Sequence, residues 1–339
     1  MTGNGLPPET EITLLLCGGF SATRRDEPAT PLNVGEFNNL ADALTSHGFS
    51  LLDLLDHTRQ EAIRSDPATA ALLTPRIETL LTRGTAMAMA AERWNSLGFW
   101  VIDRTSSRYP ERFREHLGAS APPLLYGAGD TELLNRDQPR VAVVGSREID
   151  TDGEAFARTV GATSARIGAL TVSGGARGAD RTAIDGALEA GGEAIAILPG
   201  ALQQVATSRA YRSMVSEGQL TLISPYHPGA KFTAGNAMGR NRLIYCLADL
   251  AIVVESAKES GGTWAGATET INAGWVPVGV RQTSNPSAGN QALIDLGAVP
   301  ITPDTVSSPD AFQTWFDTTT SSHRPPEPSP ASQQIRLLD

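Results

Sequence analysis

The sequence predicts an α/β chain: a doubly wound, mainly parallel sheet with an N-terminal helical domain. Three observations predict it. From Arg140 onward, short apolar runs alternate with helical stretches at regular spacing. Those runs are near-continuous rather than alternating, so both faces of each strand must be covered. Glycine-, serine- and arginine-rich segments recur where the runs end, and a doubly wound sheet places its ligands at the carboxyl ends of its strands.

Taken in order, residues 1–100 read as a small helical domain. Asn33 to Ala41 carries helical spacing into Leu44, and Phe49 to Leu55 resumes it. Ala68 to Trp94 is rich in Ala and Leu and is broken at Pro75 and Gly84, as a proline and a glycine demand. Helical periodicity by itself carries no function, so this segment is read as a packing module. Phe99–Ile102 reads as a short strand, Tyr109–Phe113 as a helix start, and Pro122–Gly127 as extended because prolines exclude the helical region before them.

The regular unit follows, within a second domain spanning 101–304 with its core at 140–281. Expected strands are Val141–Gly145, Leu170–Ser173, Ala194–Leu198, Leu220–Ser224, Leu250–Glu255 and Val276–Val280. Between them lie helical stretches at Gly153–Ile167, Ala179–Ala190, Thr207–Glu217, Ala237–Ala248 and Thr263–Ala273. A last unit adds Gln291–Leu296 and Val299–Thr302. Residues 305–339 read as a short C-terminal helix and a Thr/Ser/Pro-rich tail. That tail, from Asp317 onward, is too polar to order itself.

The 339 residues carry 27 Lys+Arg against 37 Asp+Glu, a net charge of −10. Nucleic-acid binding normally leaves a basic footprint, so the placement of charge matters. Residues 140–281 hold 13 basic and 13 acidic residues, and the excess acidity lies outside them. A local basic site is compatible with this balance; a broad basic face is not. Two cysteines, Cys17 and Cys246, are far apart and form no metal-type pair or disulfide framework. The five histidines are scattered, so neither zinc nor a His-based triad is expected. No basic-then-apolar leader opens the chain, and no apolar run approaches the ~20 residues of a membrane helix. The cytoplasm is the expected compartment, and no cofactor is expected.

Four motifs carry chemistry. In Val143-Val144-Gly145-Ser146-Arg147 an apolar strand ends in a glycine that lets an anion approach. A hydroxyl, free amides and a guanidinium follow to receive it. Ser173-Gly174-Gly175-Ala176-Arg177-Gly178-Ala179-Asp180 repeats the pattern, with Asp180 read first as a helix cap and second as a partner for Arg177. Gly235 to Arg242 brings Arg240, Asn241 and Arg242 to a helix start, with Lys231 upstream. Both arginines reach a crevice only if they sit in irregular backbone. Ser260-Gly261-Gly262-Thr263 opens another helix after Glu255, a further anion-ready turn. Trp264 is read as packing before base stacking. Glu269 is a carboxylate with no nucleophile identified near it. No full G-x-x-x-x-G-K-[ST] or G-x-G-x-x-G pattern occurs, which argues against a standard NTPase or dinucleotide dehydrogenase.

These residues, with Tyr109-Pro110, Pro122-Pro123-Leu124-Leu125-Tyr126 and Val253-Val254-Glu255, resemble the DprA/Smf (DNA-processing protein A) family of bacterial transformation and recombination. The resemblance runs from about Trp100 to Val280. It implies an extended Rossmann-like fold, non-enzymatic binding of single-stranded DNA, loading of RecA onto that strand, and a homodimer. It also implies a phosphate-binding pocket at Gly145, Ser146, Arg147, Ser173, Gly174, Arg177, Lys231, Arg240, Asn241 and Arg242. Gly175, Gly178, Ser260, Gly261, Gly262 and Thr263 are added from the loop chemistry above. The chain is a divergent branch: the family usually has leucine at Gly175, isoleucine at Ala179, histidine at Ile184 and Phe-Pro at Met238-Gly239. Its Ser-Gly-Ser-Leu-Ile-Thr-Ala run is rewritten as Ser260 to Gly266. The winged-helix domain that many members carry is not expected. Two alternatives stay open. Gly261-Gly262-Thr263 with Glu269 is similar to the helix start of LOG-like nucleoside-monophosphate phosphoribohydrolases, although the spacing to the glutamate is longer. A sensor of free nucleotides on the same fold is the other.

Overall fold

The computed structural model describes residues 5–20 and 27–323. The helical region comprises α1 (Pro8–Cys17), α2 (Val34–Thr45), α3 (His57–Ser65), α4 (Pro75–Leu81) and α5 (Gly84–Ser96). Asn33 and Glu36 form a reciprocal capping box at the start of α2, which satisfies two orphan donors. Pro75 and Gly84, the two expected breaks, are the first residues of α4 and α5. Ile12 and Leu16 of α1 join Phe37, Leu44, Ile63 and Leu80 in a core of the helical region itself. Leu14 and Leu15, on another face of α1, pack with Trp94 against Tyr126, Leu198 and Leu222 beside the sheet. One helix therefore belongs to both cores.

The connecting segment holds β1 (Phe99–Asp103), α6 (Glu111–Leu117) and β2 (Leu124–Ala128). The repeating unit then runs β3 (Arg140–Val144), α7 (Thr151–Arg166), β4 (Leu170–Ser173), α8 (Ala179–Glu189) and β5 (Ala194–Ile197). It continues through α9 (Leu202–Ala206), α10 (Arg212–Ser216), β6 (Leu220–Ser224), α11 (Ala234–Cys246) and β7 (Leu250–Val253). The last elements are α12 (Gly261–Ala273), β8 (Val278–Arg281), α13 (Ala288–Asp295), β9 (Val299–Ile301), α14 (Pro303–Ser307) and α15 (Pro309–Ser322).

The strands form one nine-stranded sheet in the order β1-β2-β6-β5-β4-β3-β7-β8-β9. β3 to β9 pair in parallel, and β1 and β2 add an antiparallel edge. Side chains alternate across the sheet as strand geometry requires. Val141 and Val143 join Phe156 and Val160 of α7 on one face. Ala142 and Val144 join Leu243 and Tyr245 of α11 on the other. Both faces are covered, so the strands read as continuous apolar runs.

Two expectations are corrected. The helix expected at Thr207–Glu217 shrinks to the short α10 at Arg212–Ser216, and a separate short helix, α9, precedes it, starting at Leu202 just after Ala201 adopts a left-handed backbone. The tail does not begin at Asp317: α15 continues through Ser322 because Phe312, Phe316 and Thr319 recur on its buried face. The rest of the proposed tail lies outside the described residues.

Candidate functional site

The chain leaves β3 in one direction along β4, β5 and β6, and in the other along β7, β8 and β9. The strand order therefore reverses between β3 and β7, where an open α/β sheet has its crevice. A cleft of about 740 Å³ lies there, walled by the loops after β3, β4 and β7 and by the first turns of α11 and α12.

Of the residues singled out from the sequence, Gly145, Ser146, Arg147, Arg177, Arg240, Asn241, Ser260, Gly261, Gly262 and Thr263 line this cleft. The β3 and β7 loops are tied together by the Ser146 amide, which donates to the Glu255 carbonyl at 2.9 Å. That amide is thus occupied, and the Ser146 hydroxyl accepts from the Glu148 amide at 3.1 Å. The loop also presents the guanidinium of Arg147, which forms no ion pair among the described residues and lies 4.8 Å from the centre of the Phe232 ring. On the opposite wall, Ser260 is the N-cap of α12 but its side chain makes no capping bond. The helix start there keeps backbone donors for an anion. Asn241 Nδ2 donates to the Gly262 carbonyl at 3.0 Å, which fixes this turn against α11.

The cleft leaves out Ser173, Gly174, Gly175, Gly178, Lys231 and Arg242, each for a local reason. Ser173 is fully buried and its hydroxyl donates to the Val143 carbonyl at 2.6 Å, inside the sheet. Gly174 lies under the floor, where any Cβ would strike Arg240 and Asp180. Gly178 has φ +88° and approaches the carbonyls of Ser146 and Arg147 too closely for a side chain. These two glycines shape the cleft from behind. Gly175 faces Leu198. Lys231 is exposed on the loop beside the mouth. Arg240 and Arg242 do not sit at an irregular helix start, as their joint use required. α11 begins at Ala234, so both are within regular helix and point apart. Arg240 turns into the floor, and Arg242 lies off the cleft with its Nε buried and unpaired.

The centre of the floor is Asp180. It neither caps α8 through its side chain nor holds Arg177. It is buried beside Arg240 and accepts from the amides of Ala176, Gly145 and Gly174. One carboxylate thereby joins the loops after β3 and β4. Burial raises its pKa to about 6, against the opposing pull of Arg240 and those amides. Burial also lowers the pKa of Arg240, whose Nη1 donates to the Ile197 carbonyl. Arg177 instead meets Glu148 at 3.4 Å on the exposed rim.

Sequence reasoning missed Phe232 and Met238, which line the mouth with 49% and 61% of their surface exposed. It also missed the carboxylates of Glu148 and Glu255 in the lining. Only the position of Phe232 beside Lys231 in a Pro/Gly-rich loop hinted at the first. The loop carrying Phe232 is anchored from below. The Ala201 and Gln203 amides donate to the carbonyls of Ala230 and Pro228 at 2.6 and 3.0 Å. His227 Nδ1 accepts from the Gly229 amide at 2.9 Å, and its ring meets Trp94 of α5 edge-on at 5.6 Å. Trp264 is half-buried against the core, as read from the sequence. Glu269 is exposed on α12 and does not line the cleft. Among the described residues, no three His, Cys, Asp or Glu side chains are grouped so as to hold a metal, and no helix is long and apolar enough to cross a membrane.

The switch-point crevice and its glycine-shaped loops make this a Rossmann-type α/β protein. The family model described as DNA recombination-mediator protein A matches residues 100–308, and the chain belongs to that DprA/Smf family. A DNA processing protein DprA of Mycobacterium tuberculosis is 32% identical over 234 residues, covering 67% of this chain and 57% of that protein. Protein Smf of Escherichia coli is 35% identical over 143 residues, 41% of this chain and 37% of its own length. The chain thus spans little more than half of the first relative. DprA of Streptococcus pneumoniae shares the fold at TM-score 0.58 and 24% identity, covering 84% of this chain and 98% of that one. DprA of Helicobacter pylori, whose structure was solved for its single-stranded DNA binding mode, aligns at TM-score 0.52 and 24% identity over 67% of this chain and 97% of its own.

Proposed function

We propose that this chain binds single-stranded DNA in the β3/β7 crevice, without turnover, in DNA uptake or recombination. The observation that carries the reading is the pairing of Arg147 with an exposed Phe232 at the mouth, facing the uncapped start of α12. A cation and free amides suit a phosphate, and an exposed ring suits an unpaired base. A duplex hides its base faces, so the same mouth favours a single strand. Family membership supports the reading. Residues 101–304 then form the DNA-handling unit and residues 1–100 its support. Loading of RecA, homodimerisation and a cytoplasmic site of action extend the reading by analogy with the family.

Few cations serve the cleft: Arg147, Arg177 and the neighbouring Lys231. For single strands the salt slope is about −0.7 per phosphate contact, so a slope near −2 is expected. The test is fluorescence anisotropy with a labelled oligothymidine and a matched duplex at two salt concentrations. Salt-sensitive preference for the single strand supports the reading. Absence of binding to either discards it.

A further inference from the structure

We infer that the cleft selects an internal phosphodiester and turns away phosphomonoesters, and that Glu148 and Glu255 enforce this choice. The inference rests on the single-strand reading and names the phosphate class that the site accepts.

The charged lining of the cleft balances: Arg147, Arg177 and Arg240 face Glu148, Asp180 and Glu255. Two of the cations are already engaged. Arg240 is buried beside Asp180 and bonds the Ile197 carbonyl. Arg177 meets Glu148 at 3.4 Å. Arg147 is committed to no carboxylate and lies over Phe232. Glu255 holds its carboxylate in the lining, 3.5 Å from Arg281, a buried residue behind the wall. A ligand phosphate therefore meets one ready guanidinium, a helix start and two carboxylates.

A phosphodiester carries one negative charge. A nucleoside monophosphate carries close to two at pH 7.5, because its second pKa is near 6. Arg147 answers the first charge. The second finds no further cation in the cleft lining that is free of a partner, Lys231 standing outside on the loop beside the mouth, and it faces Glu148 and Glu255. Across several ångströms of partly hydrated cleft, this repulsion costs the monoester about five-fold in affinity. The apolar mouth at Phe232 and Met238 then rewards an unpaired base on the strand. The same balance argues against the mononucleotide hydrolase and sensor readings, since each needs a site that welcomes a terminal phosphate.

The experiment is displacement of labelled oligothymidine at pH 7.5 by two competitors: thymidylyl-thymidine, which has one internal diester, and thymidine 5′-monophosphate. The dinucleotide is expected to compete about five-fold better than the monophosphate. Glu148→Gln should narrow that gap about two-fold by tightening the monophosphate more than the dinucleotide. Because Glu148 has 88% of its side chain exposed, this variant keeps the fold, and it carries the test even if Glu255→Gln disturbs Arg281. Equal or better competition by the monophosphate, with oligothymidine still bound, overturns the inference and leaves the single-strand reading standing. An unchanged gap in Glu148→Gln removes the role assigned to that carboxylate. Monophosphate binding without oligothymidine binding, or neither, overturns both.

Discussion

Two arginine–carboxylate arrangements share this cleft, and they differ in solvent. Arg240 and Asp180 lie under the floor with 3% and 7% of their surface exposed. Arg177 and Glu148 meet on the rim with side chains 77% and 88% exposed. The chemistry is the same, but water screens the second and not the first. The floor pair therefore belongs to the architecture, joining three loops, whereas the rim pair is cheap to open when a ligand arrives. An arginine in the right motif is not thereby an arginine in the right medium.

The largest effect should come from the floor. Arg240→Ala leaves Asp180 buried without its neighbouring cation and should cost about 3–5 kcal/mol of stability, read by urea unfolding. A loss below about 1 kcal/mol would erase the distinction between floor and rim. Asp180 also sets a pH dependence. Its folded pKa is raised to about 6 from an ordinary value of 3.8, so the folded state binds the extra proton between those values. Its contribution to stability is thus greatest at low pH and is lost as pH rises through about 6. Protonation removes one negative charge from the cleft, so strand affinity should rise as pH falls from 7.5 to 5.5. Asp180→Asn should flatten that trend, and a profile that keeps its slope in the variant would assign it to another group.

Next comes the mouth. Arg147→Ala should weaken oligothymidine binding about five- to ten-fold and make the salt slope shallower by about 0.7. His227→Ala removes both the acceptor for the Gly229 amide and the ring against Trp94. Its expected effect is about three-fold weaker binding through faster dissociation, since the lip that presents Phe232 loses its brace. Unaltered dissociation kinetics would show that the loop stands without the helical region. The smallest change is on the rim: Arg177→Ala should shift stability by less than about 0.5 kcal/mol. A loss comparable with that of Arg240→Ala would contradict the comparison above.

Much of the fold was legible because burial on both faces writes itself as continuous apolar runs, as in Leu170–Ser173 and Leu220–Ser224. The loop motifs at Gly145–Arg147 and Ser260–Thr263 were legible for a related reason: they stand at the ends of those runs, where the fold places ligands. Arg240 and Arg242 were harder. Two residues apart, they share a crevice only in irregular backbone, and the start of α11 at Ala234 places them in regular helix on different sides. Asp180 was harder still, because its partners, Gly145, Gly174 and Arg240, come from three separate segments. The helical run at 317–322 was obscured by a Thr/Ser composition that reads as tail; burial of Phe316 and Thr319 decided it.

By itself, then, the sequence determined the α/β class, the parallel core and which glycine-rich loops follow the strands, because strand period, glycine and helix-start chemistry are local properties. Only the tertiary structure decided which charges face the cleft, which are engaged with one another, and that Phe232 stands at the mouth. Those depend on the distance and on the water between residues that the chain itself keeps far apart.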